Sequence, residues 1–328
     1  MTEPLVSICI PTYNGESFLK ECLDSCVSQT FDDYEIIICD DGSQDATIKI
    51  TEQYAKSNNK IRFFKNEKNL GLVANWNKCI EYAKGKWIKF VFQDDYITQN
   101  CLQKFVDSIE PSVHLLVSAR NFILPENPPA NFVNYYTNEV RTLENTNQNK
   151  SNLFSAQLIS KIAVQNICLN FIGEPSLTFF KKELVKEVGF FNDDLKQICD
   201  LEFTLRVASK HGLKYVPEKI CAFRIHNNST TSTNVENKYF ELHYIEPLMF
   251  SWFLNFSPSF IVFRSHLNAF EKLKLKLYFK TKAYQAQRVN LIDKRDYFLF
   301  RSDTTKFKEI YQSKNGNIIV WLFSLLRR

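Results

Sequence analysis

Residues 34–43 read Tyr-Glu-Ile-Ile-Ile-Cys-Asp-Asp-Gly-Ser, an apolar run that ends in two carboxylates and a glycine. The length and β-branched content of Tyr34–Cys39 predict a buried strand. Leu5–Ile10 is a similar run ended by a proline, and Trp87–Phe92 is another, ended by Gln-Asp-Asp. The sequence thus repeats one pattern, in which a buried strand leads directly into a polar loop.

Helical patterns separate these strands. The apolar spacing predicts helices over Ser17–Gln29, Asp45–Ser57 and Val73–Ala83, with Gly85 as the C-cap of the last. A further apolar run, Ile61–Lys65, is predicted as a strand. Strands and helices that alternate in this way form a parallel sheet with helices on both faces. Ligands of such sheets bind beyond the carboxyl ends of the strands, where the polar loops lie.

The second half of the chain has a less regular pattern. Residues Pro125–Ser151 are rich in Asn, Pro, Thr and Glu, and we interpret them as a long loop or lid. We expect a ligand-binding domain over residues 1–235 and a helical region over residues 236–328. The other predicted elements are the helices Gln157–Cys168, Glu183–Val188 and Asp200–His211, a turn and strand over Gly173–Phe180, the strand Tyr215–Phe223, and mainly helix from Tyr239 onward.

Composition restricts the class of protein. The chain has 328 residues, of which 45% are hydrophobic, so a large core is expected. The nine cysteines are odd in number and include no Cys-x-x-Cys motif, which argues against a zinc site or a disulfide framework. Neither a secretory signal nor an apolar run of transmembrane length is visible. These features predict a protein of the reducing cytoplasm.

Charge is distributed unevenly along the chain. Residues 260–328 contain 15 of the 41 Lys and Arg but 5 of the 36 Asp and Glu. Aromatic and aliphatic residues are interspersed with these basic ones, which suits an anionic acceptor or the anionic inner face of the cell membrane. A solvated helical face is the alternative. No nucleic-acid partner is expected.

Two pairs of carboxylates follow predicted strands. Adjacent carboxylates such as Asp94 and Asp95 cannot both be buried without a counter-charge, which Mg²⁺ or Mn²⁺ bridging a diphosphate would supply. Asp40 and Asp41 precede Gly42 and could accept hydrogen bonds from a base or a ribose. Taken alone, the first pair more often forms a solvated turn and the second an ordinary Asp-Gly turn.

Three later positions are also candidates for chemistry. Asp200, at a predicted helix start, could be a general base for an acceptor hydroxyl or merely the N-cap of that helix. His226 could complete a metal shell or be a polar loop residue, and Arg224 could pair with an acid or a phosphate.

The loop Asn69-Leu70-Gly71, with Asn75 on the following helix, could lie along a nucleotide, although it is a weak signal by itself.

As a set, Val6–Asn14, Ile37–Ser43, Asn69–Gly71 and Phe92–Asp95 resemble the family 2 glycosyltransferases with the GT-A fold. The four motifs occur in order, and the resemblance covers roughly residues 4–230. It implies an α/β protein with a Rossmann-like mixed, mostly parallel sheet flanked by helices, followed here by a mainly helical C-terminal extension.

The resemblance also implies roles for individual residues. Asp95, with His226, would bind Mn²⁺ or Mg²⁺, and Asp200 would be the catalytic base. Glu174, Ser176 and Arg224 would lie on the side of the donor sugar and the acceptor. The residues expected to bind the nucleotide-sugar are Pro11, Thr12, Tyr13, Asn14, Asp40, Asp41, Asn69, Gly71, Asn75, Gln93 and Asp94.

The implied activity is an inverting, metal-dependent transfer of a sugar from a nucleotide-sugar, with UDP expected. The acceptor would be a hydroxyl of a saccharide or of a polyprenyl-diphosphate-linked saccharide in surface polysaccharide assembly. A sugar nucleotidyltransferase is one alternative, but the loop after the first strand lacks the basic residues typical of such enzymes. A non-catalytic nucleotide-sugar-binding module is the other.

Overall fold

A computed structural model describes residues 3–128, 130–140, 142–146, 151–226 and 244–293. The described residues form one nine-stranded sheet in the order β3-β2-β1-β4-β8-β6-β9-β5, with β7 paired to β9. The strands are β1 Val6–Thr12, β2 Tyr34–Asp40, β3 Ile61–Lys65, β4 Trp87–Phe90, β5 Tyr96–Ile97, β6 Leu115–Ile123, β7 Leu153–Phe154, β8 Thr178–Lys181 and β9 Leu213–Arg224.

The sheet is mixed and mostly parallel, as the sequence predicts. Strands β3, β2, β1 and β4 run in the same direction, and β8 is antiparallel to both β4 and β6. Strand β9 is parallel to β6. The carboxyl ends of β1, β2, β4, β6 and β9 therefore meet at one edge of the sheet, and the start of β8 lies at the same edge.

Helices connect the strands and follow the sheet. The helical segments are Leu19–Val27, Thr47–Ser57, Leu72–Tyr82, Cys101–Asp107, Ala130–Asn134, Leu143–Thr146, Ala156–Gln165, Leu184–Val188, Cys199–His211, Glu246–Phe256, Ile261–Ser265 and Ala269–Asp293. Shorter turns of 3₁₀ helix cover Pro175–Leu177 and Pro258–Phe260, and a π-helical turn covers Tyr135–Glu139.

The predicted strands and helices of the first ninety residues are confirmed, with boundaries that shift by one or two residues. Strands β5 and β6 and the helix Cys101–Asp107 were not predicted. The expectation of one loop over Pro125–Ser151 is wrong in part, because the described residues of this segment include helices at Ala130–Asn134 and Leu143–Thr146. Their short length explains why no helical periodicity is visible.

Most buried apolar residues of the described sheet and helices form one large cluster, and Leu248 and Phe279 form a second, small one. Strands β1 and β2 are buried along their whole length, because helices cover both faces of the sheet at its centre. The cysteines are all free thiols, and eight of the nine are buried, in agreement with their interpretation as small core residues.

The C-terminal helices belong to this core. Phe250, Leu254, Phe260 and Phe263 join the same hydrophobic cluster as the sheet residues. The predicted domain boundary at 235/236 lies outside the described residues and stays a prediction. None of the described helices combines the length and the hydropathy that a membrane-spanning segment requires.

Gly85 has a different role from the predicted C-cap. The preceding helix ends at Tyr82 and its C-cap is Ala83. The Gly85 amide donates to Ser7 Oγ at 2.8 Å, and a Cβ at Gly85 would lie 2.5 Å from the Ser7 nitrogen. Glycine is needed here because the loop before β4 crosses the backbone of β1 without room for a side chain.

We expect Gly85→Ala to destabilise the protein, because the obstructing atoms are backbone atoms of a central strand and cannot move aside. A loss of about 1–3 kcal/mol or more in the free energy of unfolding should be measured by urea denaturation. The exposed neighbour Lys86 provides the control, since Lys86→Ala should change it by less than about 0.5 kcal/mol. Equal stability of the two variants would contradict this account.

Candidate active site

The carboxyl edge of the sheet brings the sequence-predicted residues into two neighbouring groups. One group surrounds the ends of β1 and β2, and the other surrounds the end of β4 and the start of β8. Their members are linked by hydrogen bonds between loops that are far apart in sequence.

Asp40 joins the end of β1 to the loop after β2. Its Oδ1 accepts from the amides of Gly42 and Ser43 at 3.1 and 2.9 Å, and its Oδ2 accepts from the hydroxyls of Thr12 and Ser43 at 3.0 and 2.6 Å. The residue is fully buried. Its carboxylate is thus surrounded by protein donors and fixes the shape of the loop after β2.

Asp41 fixes the next loop. Its Oδ1 accepts from the Leu70 amide at 2.8 Å and from Asn66 Nδ2 at 2.9 Å, and its Oδ2 accepts from the Gly71 amide at 2.9 Å. Gly71 has a φ of +90°, a backbone conformation that favours glycine. Asp41 therefore holds the turn that leads into the helix Leu72–Tyr82.

Asn75 and Asn69 complete this group. Asn75 is buried and donates to the Cys39 carbonyl at 2.9 Å, so it ties the helix to the end of β2. Asn69 is exposed and accepts from the Gly71 amide at 3.1 Å. Of the two asparagines, Asn69 is the one whose side chain is exposed.

The loop after β1 is held by Gln93. Its Oε1 accepts from the Tyr13 amide at 2.8 Å and its Nε2 donates to the Tyr13 carbonyl at 3.0 Å, which imitates a backbone pair. Pro11 and Thr12 are buried within β1, whereas the Tyr13 side chain is 48% exposed. Asn14 has a φ of +47°, and its amide donates to Ser43 Oγ at 2.9 Å. Tyr13 is therefore the exposed aromatic surface of this loop.

Asp95 is buried at the centre of the second group. Its Oδ1 accepts from the Arg224 amide at 3.0 Å, and its Oδ2 accepts from the Ser176 hydroxyl. Burial raises the pKa of Asp95 well above its usual range, and the adjacent Asp94 carboxylate raises it further. Asp95 thus connects the end of β4 to β9 and to the turn before β8, with neutral hydrogen-bond donors.

Asp94 and His226 lie at the mouth of this group. Asp94 Oδ2 is 3.0 Å from His226 Nε2, and both side chains are partly exposed. Arg224 Nε donates to the Asp94 carbonyl at 3.0 Å, and its guanidinium pairs with Glu21 at 2.6 Å. The ring of Phe18 packs 4.9 Å from the His226 ring. The first helix therefore supports the loop that carries the histidine.

The donor chemistry of this group suits a divalent cation. Two carboxylates and one imidazole are ligands that Mn²⁺ and Mg²⁺ accept, with phosphate oxygens and water completing the shell. In the part of the chain that the structure describes, no three His, Cys, Asp or Glu side chains form a complete metal cluster.

Asp200 is the second residue of the helix Cys199–His211 and does not cap it, because the N-cap is Ile198. Its Oδ1 accepts from the Leu201 amide at 2.7 Å and its Oδ2 accepts from Asn170 Nδ2 at 2.8 Å. Desolvation by burial raises the pKa of Asp200 to about 7. A carboxylate with this pKa can accept a proton near neutral pH.

Arg120 and Asn170 are components of the site that the sequence did not indicate. Arg120 Nε pairs with Glu174 Oε2 at 2.9 Å, and its NH2 group donates to the Asn170 carbonyl at 3.1 Å. Asn170 in turn contacts Asp200, so a continuous network joins the two acids. Arg120 lies in β6, an unpredicted strand, and no local motif marks either residue.

Glu246 is a third missed residue, and it connects the C-terminal helices to the site. Its carboxylate accepts from the amides of Lys196, Gln197 and Ile198 at 2.9, 2.7 and 3.2 Å. Glu246 is 4% exposed. These three amides lie immediately before the helix Cys199–His211, which carries Asp200, so Glu246 fixes the point at which that helix starts.

The family of the chain follows from comparison with known proteins. Residues 7–161 match the family model described as glycosyl transferase family 2. An uncharacterized protein of Mycobacterium tuberculosis is 30% identical over 71% of this chain and 70% of its own length. The uncharacterized glycosyltransferase EpsJ of Bacillus subtilis is 42% identical over 33% of this chain and 31% of its own. The chain belongs to glycosyltransferase family 2.

Solved structures show the same GT-A fold. Residues 1–349 of TarS from S. aureus, in complex with UDP-GlcNAc, superpose with a TM-score of 0.57 at 18% identity, covering 88% of this chain and 83% of that TarS segment. The mannosyltransferase PcManGT from Pyrobaculum calidifontis, in complex with GDP-Man and Mn²⁺, gives 0.54 at 14% identity, covering 98% and 84%. At these sequence identities, the structural similarity establishes the fold of this chain and nothing further.

Glu246→Gln should lower the free energy of unfolding by about 1.5–3 kcal/mol, because a buried charged acceptor is lost and an NH₂ group is turned toward N–H donors. Chemical denaturation measures the change. Glu187 offers a matched control, since it is an exposed partner of Lys210 and Glu187→Gln should cost less than about 1 kcal/mol. The account fails if the two substitutions have the same effect.

Proposed function

We propose that this family 2 glycosyltransferase is an inverting enzyme that moves a sugar from a nucleotide-sugar to an acceptor hydroxyl with a divalent cation. The observation that carries the proposal is the pairing of two different acidic centres at one sheet edge. Asp95 is a buried carboxylate with neutral donors, and Asp200 has a pKa of about 7. Asp95 is therefore suited to binding a cation, and Asp200 is suited to accepting a proton.

The donor nucleotide is proposed to bind over the ends of β1 and β2. Tyr13 and Asn69 offer exposed surface there, while Asp40 and Asp41 shape the loops from beneath. We therefore propose that Asp40 acts on the nucleotide through loop shape rather than by direct contact, since protein groups fill its acceptor positions. UDP is the proposed nucleotide, by analogy with the TarS complex.

The metal is proposed to be Mn²⁺ or Mg²⁺, held by Asp95 and His226 with Asp94 beside them. When bound, such a cation would neutralise charge on the leaving diphosphate. Asp95 is the proposed principal ligand because its hydrogen-bond donors are neutral and leave its charge without compensation. Asp94 is the competing candidate, since it already contacts His226.

The remaining catalytic and positioning roles are assigned to individual side chains. Asp200 is proposed to take the proton from the acceptor hydroxyl as that oxygen attacks the anomeric carbon on the face opposite the leaving nucleotide. Glu174 is proposed to orient the acceptor, because Arg120 holds it near Asp200. Ser176 and Arg224 are proposed to position Asp95 and the loop bearing His226.

The biological acceptor is proposed to be a saccharide or a polyprenyl-diphosphate-linked saccharide of surface polysaccharide, and the setting is proposed to be cytoplasmic, at the inner face of the membrane. Membership in a glycosyltransferase family argues against a sugar nucleotidyltransferase. A non-catalytic binding module is the remaining alternative, and loss of transfer in a folded Asp200 variant tests it.

Asp95→Asn should abolish cation binding in the presence of UDP, because a neutral amide is a far weaker ligand for Mn²⁺. Calorimetric titration of Mn²⁺ should show about a hundredfold or greater loss of affinity, against about tenfold for Asp94→Asn and for His226→Ala. The exposed Asp107 supplies the control, Asp107→Asn, with unchanged affinity. A larger loss for Asp94→Asn than for Asp95→Asn would transfer the role of principal ligand to Asp94.

Transfer should rise with pH through about 7, because Asp200 acts only when deprotonated and its pKa lies near that value. Asn170→Ala should move this limb to higher pH, since the amide N–H that favours the charged carboxylate is removed. The measurement is kcat/KM against pH with a UDP-sugar and a saccharide acceptor.

The matching loss-of-base variant is Asp200→Asn, for which we expect a decrease of about 10²–10⁴-fold in transfer with UDP binding unchanged. Asp193→Asn, an exposed site a few residues earlier, is the control and should transfer at the normal rate. Wild-type rates in Asp200→Asn would eliminate Asp200 as the base.

A further inference from the structure

The long C-terminal helix Ala269–Asp293 carries apolar residues on two opposite faces. Leu275 and Phe279 lie on the buried face, where they are 1% and 9% exposed. Phe270, Leu273 and Leu277 lie on the other side and are 75%, 50% and 38% exposed. Packing within the protein accounts for the first face and leaves the second to be explained.

The exposed apolar residues form one continuous stripe. Positions 270, 273 and 277 are separated by three and four residues, so their side chains follow one another along the same side of an α-helix. We call Phe270, Leu273 and Leu277 the apolar stripe. Three large exposed side chains in line are uncommon on a surface that contacts water alone, whereas single exposed apolar residues are ordinary.

Lysines border the apolar stripe. At 100° per residue, Lys276 and Lys280 fall on one flank and Lys274 on the other. Across the helix there are six basic residues against two acidic ones, Glu271 and Asp293. Glu271 is used to cap the helix, since its Oε2 accepts from the Asn268 amide at 2.8 Å. The outward face thus combines apolar surface with positive charge.

We propose that the apolar stripe and its flanking lysines dock this protein on an anionic lipid surface. Helices that lie in a membrane interface place an apolar face among the acyl chains and direct lysines toward anionic headgroups. The alkyl stems of the lysines can lie along the apolar face while their ammonium groups reach the headgroups. Charge complementarity selects a lipid bilayer over a neutral apolar partner, which would gain nothing from the lysines.

Docking at this face has a direct connection to the site. The helix packs against Glu246–Phe256, where Asn255 Nδ2 donates to the Leu275 carbonyl at 3.2 Å. Glu246, at the start of that helix, holds the amides that precede Asp200. These contacts thus connect the docking surface to the residues before the proposed base, although the docking itself does not depend on the reaction.

The test is co-sedimentation of the full chain with phosphatidylcholine vesicles that contain or lack phosphatidylglycerol. We expect binding to the anionic vesicles alone, weakened by added salt. The triple variant Lys274→Glu, Lys276→Glu, Lys280→Glu should lose about tenfold or more in vesicle affinity. Phe270→Ser, Leu273→Ser, Leu277→Ser should lose a similar factor, although its charge is unchanged.

A matched control reverses three exposed lysines elsewhere on the protein, Lys49→Glu, Lys56→Glu and Lys186→Glu, and should bind vesicles at least three times more tightly than the first triple variant. UDP binding by each variant verifies the fold and separates this test from that of the reaction. The proposal is overturned if wild type fails to bind anionic vesicles, or if both charge variants bind equally. It is also overturned if the serine variant loses self-association and keeps vesicle binding, since the stripe would then contact a second copy.

Discussion

Burial of negative charge at the carboxyl edge of the sheet is the constraint on which the site depends. Asp40, Asp41 and Asp95 lie at or just beyond the carboxyl ends of parallel strands. Water is largely excluded from these positions. A carboxylate in such surroundings requires hydrogen-bond donors, and loops distant in sequence supply them. Each carboxylate is stabilised by donors from these loops, and its hydrogen bonds in turn fix the conformations of the loops.

The part of the fold that repeats a pattern could be predicted from the sequence. Strands such as Tyr34–Asp40 are buried on both faces, so they are continuous apolar runs, and the helices between them have regular apolar spacing. Strand β6 was missed although its first half is buried, because its outer half, from Arg120 onward, is only partly buried. A two-residue strand such as Tyr96–Ile97 is too short for any periodicity to be visible.

The site could be predicted only where chemistry coincides with a local motif. Asp94, Asp95 and Asp200 carry such motifs, and the sheet edge brings two of them together with His226. Arg120, Asn170 and Glu246 carry none, because their roles arise from contacts 30 to 54 residues apart in sequence. The predicted role of Gly85 was wrong for the same reason, since the strand that it touches lies 78 residues earlier.

The donors around each carboxylate distinguish the acids that hold the structure from those suited to chemistry. Asp40 accepts four hydrogen bonds and Asp41 accepts three, which leaves little of either for a ligand. Asp95 and Asp200 each accept two, from neutral groups, and burial raises the pKa of both. Their charged forms are thus incompletely stabilised by the protein alone. A carboxylate in that condition gains most from what a reaction brings to it, which is a cation in the role proposed for Asp95 and a proton in the role proposed for Asp200.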